Sequence, residues 1–159
     1  MFLVLAAVAA VLFVASCAGR YKDIKITSLK LESVVPSSLK SVDAVVLVGV
    51  ENPSRVKVKV KNMMGHVYQN SKQIATVKSE DEVELPPRCE SQQRIKVRVV
   101  IDNAMFFFEQ YQSGFRPNYK EFTVDLKADA GAGIFFFPVE KKGVSVEELV
   151  KQARAVYKK

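Results

Sequence analysis

Few side chains in this sequence stand where they could do chemistry. It holds one histidine, two cysteines and no tryptophan. His66 follows Gly65 in a turn or strand start, and no second histidine accompanies it to complete a metal site. Cys89 could act as a nucleophile only if a neighbouring base drew off its proton, and no base is signalled nearby. A lone structural thiol is the expectation there. Glu80, Asp81, Glu82 and Glu84 could hold a calcium ion weakly, but they lack the glycine and ligand spacing of calcium loops. They read as a solvated charged turn. Gly131 and Gly133 do not make a phosphate loop, because no helix carrying Lys and Ser or Thr follows them. No catalytic constellation is expected, no cofactor and no metal, so the chain reads as a non-enzyme.

The remaining reactive atom is the sulfur of Cys17. Residues 1–15 form an uncharged apolar run, MFLVLAAVAAVLFVA, followed by Ser16, Cys17, Ala18 and Gly19. Such a run is short for a spanning helix and suits the apolar region of a signal peptide. Small residues at its end admit a peptidase close to the backbone. The ending Val14-Ala15-Ser16-Cys17 resembles the lipobox of bacterial lipoproteins, although no Lys or Arg precedes the apolar run. The resemblance implies a signal peptide over 1–16, cleavage after Ser16, diacylglycerol on the Cys17 sulfur and acylation of the new amino terminus. Two or three acyl chains anchor firmly where one holds only marginally. By the same resemblance, Asp after the lipidated Cys retains a protein in the inner membrane. Ala18 stands there, which implies the outer membrane, facing the periplasm.

Every charged residue lies beyond Cys17, with 24 Lys and Arg against 17 Asp and Glu and a net charge of +7. Beyond the leader the composition is that of one ordinary globular domain. Further apolar runs long enough to span a membrane are absent, as is a disulfide framework. The expected organisation is a lipidated tether over 17–22, a β-domain over 23–144 and a C-terminal helix over 145–159.

The domain alternates with period two. Ile24 and Ile26 take one phase, Leu29 and Leu31 the other, which predicts a bulge near Thr27 and Ser28. Val42 to Val50 is apolar at nearly every position, as in a strand covered on both faces. Val56, Val58 and Val60 are expected inward, with Lys57, Lys59 and Lys61 outward. Gln69-Asn70-Ser71-Lys72 reads as a hairpin turn. Ile95, Val97, Val99 and Ile101 oppose Arg94, Lys96 and Arg98 on a further strand. Phe122, Val124 and Leu126 mark another, and residues 134–139 a last one. Asp102 or Asn103 can cap a short helix through Gln110 or Tyr111, with Gly114 near its end. Ser145 with Glu148 resembles a capping box, and Val146, Leu149, Val150, Ala153 and Val156 repeat at helical spacing. The expected fold is a mainly β, antiparallel sandwich of seven or eight strands. A short internal helix and a C-terminal amphipathic helix complete it, the latter covering an end or an open edge.

From Leu29 to Ile101 the chain resembles the group-two late embryogenesis abundant proteins and the related water-stress and hypersensitive-response (WHy) domain. An apolar strand runs into Glu51-Asn52-Pro53-Ser54, then Val56 to Val60 alternates. A tyrosine hairpin follows, Val67-Tyr68-Gln69-Asn70-Ser71-Lys72-Gln73-Ile74-Ala75, and Leu85-Pro86-Pro87 leads into a second alternating strand. The match covers about half the chain and departs at Ser54, where a second Asn is common. It implies an immunoglobulin- or fibronectin-like sandwich, a link to desiccation stress and no enzymatic activity. Asn52-Pro53 reads as structural, since Asn bonds nearby backbone and Pro ends the ladder.

Partners follow from the anchor and from the basic excess. Membrane lipid is the partner through acylated Cys17, and an anionic lipid or a protein is the class the basic strand faces admit. Lys57, Lys59 and Lys61 recur at about 6–7 Å, as do Arg94, Lys96 and Arg98. The plainer reading makes these the wet faces of a sandwich, screened within about 10 Å. Nucleic acid is not expected for an exported, anchored protein. The runs Phe106-Phe107-Phe108 and Phe135-Phe136-Phe137 read as core. The function expected is a stress-protective or partner-binding envelope lipoprotein. A lipid or lipopolysaccharide carrier, with those phenylalanines around an apolar cavity, and an envelope assembly subunit are the alternatives.

Overall fold

The computed structural model describes residues 24–112, 114 and 118–156. The leader 1–16, Cys17 and the tether 17–22 lie outside the described residues, as do the side chains of Phe106 and Phe107. The strands are β1 (Lys25–Ser38), β2 (Ser41–Asn52), β3 (Val58–Gln69), β4 (Lys72–Ser79), β5 (Val83–Leu85), β6 (Cys89–Ile101), β7 (Phe122–Ala132) and β8 (Phe135–Ser145). Two helices join them, α1 (Ala104–Gln112) and α2 (Val146–Val156), with a 3-10 turn at Tyr119–Glu121.

The strands pair antiparallel in one open sheet ordered β1-β2-β6-β4-β3-β7-β8, with β5 added on β3. The sheet folds over itself like a sandwich, with β4 shared between the β1-β2-β6 and β3-β7-β8 halves. Val46, Val48 and Ile95 from one half share a single core with Val58, Val60, Val124 and Leu126 from the other. The mainly β, antiparallel sandwich expected from alternation is the fold observed.

The phase change in the first strand is a bulge, with the β1-β2 register shifting between Ile26 and Ser28. The extra residue lets Ile24, Ile26 and Leu29 all face the core. Gly49 stands opposite it, where a Cβ would crowd the Ser28 and Thr27 hydroxyls and force them to turn away. The Asn70-Ser71 turn has positive φ at both positions (48° and 70°), the twist that suits a tight hairpin. Helix α2 starts directly after β8 and buries Val146, Leu149 and Val150 in the shared core. It touches β1, β7 and β8, so it spans the gap between the two edge strands.

Three expectations are corrected. Val56 is outside the core and 51% exposed, because β3 begins only at Val58. Strand β2 is buried on one face, with Val45 and Leu47 half-buried on the other. There the register sets them opposite Lys96 and Arg94, long stems that shade the outer face without closing it. The phenylalanines of β8 are not core: Phe135 and Phe137 are 69% and 55% exposed. They sit on an edge strand, with no facing strand to cover them. Phe108 of α1 is exposed as well.

Candidate functional site

One end of the sandwich gathers the start of β1, the 53–57 loop, the turn before β6 and the β7-β8 turn. The registers dictate this, with Lys25 opposite Glu51, Asn52 opposite Cys89, Val58 opposite Leu85 and Lys59 opposite Gly131. The described chain starts here at Ile24, so this is the N-terminal pole. The far pole carries the β1-β2 and β3-β4 turns, α1 and the 3-10 turn.

Asn52 organises the N-terminal pole. It is 1% exposed, and Pro53 ends the β2 ladder behind it. Its amide nitrogen donates to Val56 O and Leu85 O, each at 3.0 Å. Its Oδ1 accepts from the Ser54 amide at 3.1 Å and from Ser54 Oγ at 2.7 Å. Ser54 O in turn accepts from the Arg88 amide at 3.0 Å. Every polar atom of the side chain is satisfied by backbone or by Ser54, so Asn52 is a structural clamp. That network also explains Val56: its carbonyl is held inward by Asn52 while its side chain faces out.

The β7-β8 hairpin projects beside this clamp. A Cβ on Gly131 would lie 1.9 Å from Phe135 O, so only glycine lets the strands approach so closely. Phe137 pairs with Ala130 and Phe135 with Ala132, which puts both rings on the core-facing side at an uncovered rim. Phe136 takes the other face, where Lys61 Nζ stands 3.9 Å from its ring centroid. Ile134 at the tip is 87% exposed. Val56, Lys25, Arg55 and Arg88 are exposed at the same pole.

The two basic stripes are separated by β4, and four of their six side chains are ion-paired. Lys57 pairs with Glu84 at 3.0 Å, and Lys59 reaches Glu84 at 3.5 Å and Glu82 at 3.7 Å. Arg94 meets Glu32 at 2.8 Å, and Arg98 meets Asp43 through two bonds of 2.7 and 3.1 Å. The Arg98 bond holds the Asp43 carboxyl below its usual range and raises the guanidinium in return. The Lys57 bond likewise holds the Glu84 carboxyl below its usual range. The acidic run is therefore built into the fold. Asp81 extends this, accepting from the Lys96 backbone N–H at 2.7 Å where the β4-β6 ladder has ended. A cleft of about 310 Å³ on the outer face sets Lys78, Lys96 and Arg98 against Asp43, Glu80 and Asp81. Its charges balance, so it favours neither anions nor cations.

The other candidates fall into place singly. His66 Nδ1 lies 3.4 Å from Thr76 Oγ1, while that hydroxyl donates to Asp102 at 2.8 Å. The hydroxyl proton is thus given to Asp102 and not to the imidazole. Cys89 is exposed, its thiol 3.6 Å from Pro86 O. Gly131 and Gly133 belong to the β7-β8 turn. No metal-holding group of three His, Cys, Asp or Glu occurs among the described residues, and no helix there is long and apolar enough to cross a membrane. The apolar rim escaped sequence reasoning, since strand periodicity assigns faces and not edges.

No protein-family model matches the chain, and no curated protein matches it. Among solved structures it is similar to a protein from Archaeoglobus fulgidus, with 16% identity and a TM-score of 0.45 over 74% of this chain and 97% of that one. A protein from Arabidopsis thaliana shares 15% identity at a TM-score of 0.33, over 74% and 78% of the two chains. A β-glucuronidase of glycoside hydrolase family 2 matches 74% of this chain with only 11% of its own length, at 11% identity and a TM-score of 0.37.

Proposed function

We propose that the chain is a non-enzymatic envelope lipoprotein, anchored through acylated Cys17 and carrying a partner-binding or stress-protective sandwich domain. The observation that carries this reading is the small-residue ending Val14-Ala15-Ser16-Cys17 after an uncharged apolar run. The non-enzymatic part rests on the sequence, in which a single histidine has no second one to complete a metal site and no base is signalled near Cys89. The late-embryogenesis-abundant resemblance adds the stress role, and in it Asn52 serves as the clamp of the β2-β3 connection. Ion pairing along both basic stripes weighs against a broad anionic-lipid ribbon. A carrier is the weaker reading, because Phe135 and Phe137 line a rim and do not surround a cavity in the core.

The test is the intact mass of protein extracted from bacterial membranes, with metabolic labelling by a palmitate analogue. A mature N-terminus at Cys17 bearing diacylglycerol is expected, and Cys17→Ser should lose both label and detergent-phase partitioning. A mature N-terminus elsewhere overturns the anchor.

A further inference from the structure

Resting on that anchored reading, we infer that the N-terminal pole is a membrane-contact surface, with Ile134, Phe135, Phe137 and Val56 seated in the lipid interface. The apolar group alone does not decide this, since Leu39, Met105 and Phe108 are exposed at the far pole too. Chain length does. Ile24 stands seven residues beyond Cys17, a span of at most about 25 Å even when fully extended. The 14 residues of β1 run from one pole to the other, roughly 40–45 Å at the usual strand rise. A domain standing on its far pole would hold Ile24 about 40 Å above the bilayer, beyond the reach of a lipid on Cys17. The N-terminal pole is the end that the tether can press against the membrane.

The chemistry of that pole fits a lipid interface. Ile134 and Phe135 project from the tip of a glycine-built hairpin, where their burial in water-poor headgroups recovers apolar area that the fold leaves wet. Arg55 and Arg88 are exposed and have no carboxylate within ion-pair distance among the described residues, so each is available to a lipid phosphate. Glu51 and Glu90 also lie at this pole. The pole is therefore close to charge balance, and apolar insertion provides the attraction. The occupant is the bilayer surface itself.

The experiment uses full-length protein purified from membranes and reconstituted in phosphatidylethanolamine–phosphatidylglycerol vesicles. Cys89→Ser removes the native thiol, and a bimane is attached at Ile134→Cys or, separately, at Leu39→Cys. Lipids brominated along their acyl chains should quench the label at position 134 several-fold more than the label at 39, with aqueous iodide showing the opposite order. Equal quenching, or stronger quenching at 39, overturns the inference. A second variant, Phe135→Ser/Phe137→Ser, carries the label at Val56→Cys. It should stay vesicle-bound through its lipid while quenching at 56 falls; unchanged quenching counts against insertion of the hairpin. Intact mass of each sample separates the two ideas. Lipid on Cys17 without quenching at 134 leaves the anchor standing and removes the pole assignment. If Cys17 carries no lipid, the anchor fails, and quenching at 134 supports or overturns the contact surface by itself.

Discussion

The two poles of the sandwich are closed by different physics. At the N-terminal pole one amide side chain, itself 1% exposed, makes four hydrogen bonds, one of them buried and three half-buried. At the far pole the closing contacts are exposed: Asp102 accepts from Thr76 at 2.8 Å and from Gln73 at 2.9 Å, and Gln69 donates to Glu121 at 3.0 Å. An exposed bond exchanges with water at little cost, whereas a buried group left unpaired keeps its whole desolvation penalty. The first pole is thus tied through one side chain, and the second through these exposed side chains together with backbone bonds such as Asp102 N–H to Ile74 O at 2.9 Å.

That contrast can be broken by stability measurements, with the shared core as the reference. Ile95→Ala, midway between the poles, should cost about 2–5 kcal/mol in urea unfolding, since it opens a cavity beneath both halves. Asn52→Ala should follow at about 2–3 kcal/mol, because Leu85 O loses its side-chain donor and the Ser54 N–H its acceptor. Asp102→Ala at the far pole should cost less than about 1 kcal/mol. A larger loss for Asp102 than for Asn52 would reverse the assignment of which pole is clamped. Ile134→Ser and Leu39→Ser, both on exposed side chains, should each stay within about 0.5 kcal/mol. A large loss for Ile134→Ser would mean the hairpin tip is packed in solution.

The smallest effects concern the ion pairs between the poles. Asp43 and Glu84 titrate below their ordinary ranges because Arg98 and Lys57 bond their charged forms. A carboxyl depressed in the folded state stabilises above its unfolded pKa, and that contribution is lost as pH falls through the folded value. Carboxyl NMR titration should show both midpoints low and moving up in high salt. Arg98→Gln should return Asp43 toward its ordinary range and leave Glu84 unmoved; a shift of both would mean the two stripes are coupled across β4.

Much of this was legible in the residues. The reversal of alternation between Ile26 and Leu29 marked the bulge, Asn70-Ser71 marked the hairpin, and Asn52-Pro53 marked where β2 must stop. Helix α2 showed in the spacing of Val146, Leu149 and Val150. Val56 failed because an alternating pattern continues past the end of a ladder. The Asn52 amide decides where β3 begins, by capturing the Val56 carbonyl. The acidic run at 80–84 looked idle for a related reason. Glu84 and Asp81 acquire roles only from Lys57 and β6, which lie far off in sequence.

By itself the sequence determined which residues alternate, where turns bend, and that an uncharged apolar run is followed closely by a cysteine. These are local properties, fixed by side-chain type and by neighbours within a few bonds. Only the tertiary structure decided which strands are edges, and hence that Phe135 and Phe137 stay wet while Phe122 is sealed. It also brought Ile24, Val56 and Ile134 to one pole. The reason is that burial depends on what stands across the sheet, and strand order is set by pairing free energies summed over the whole chain.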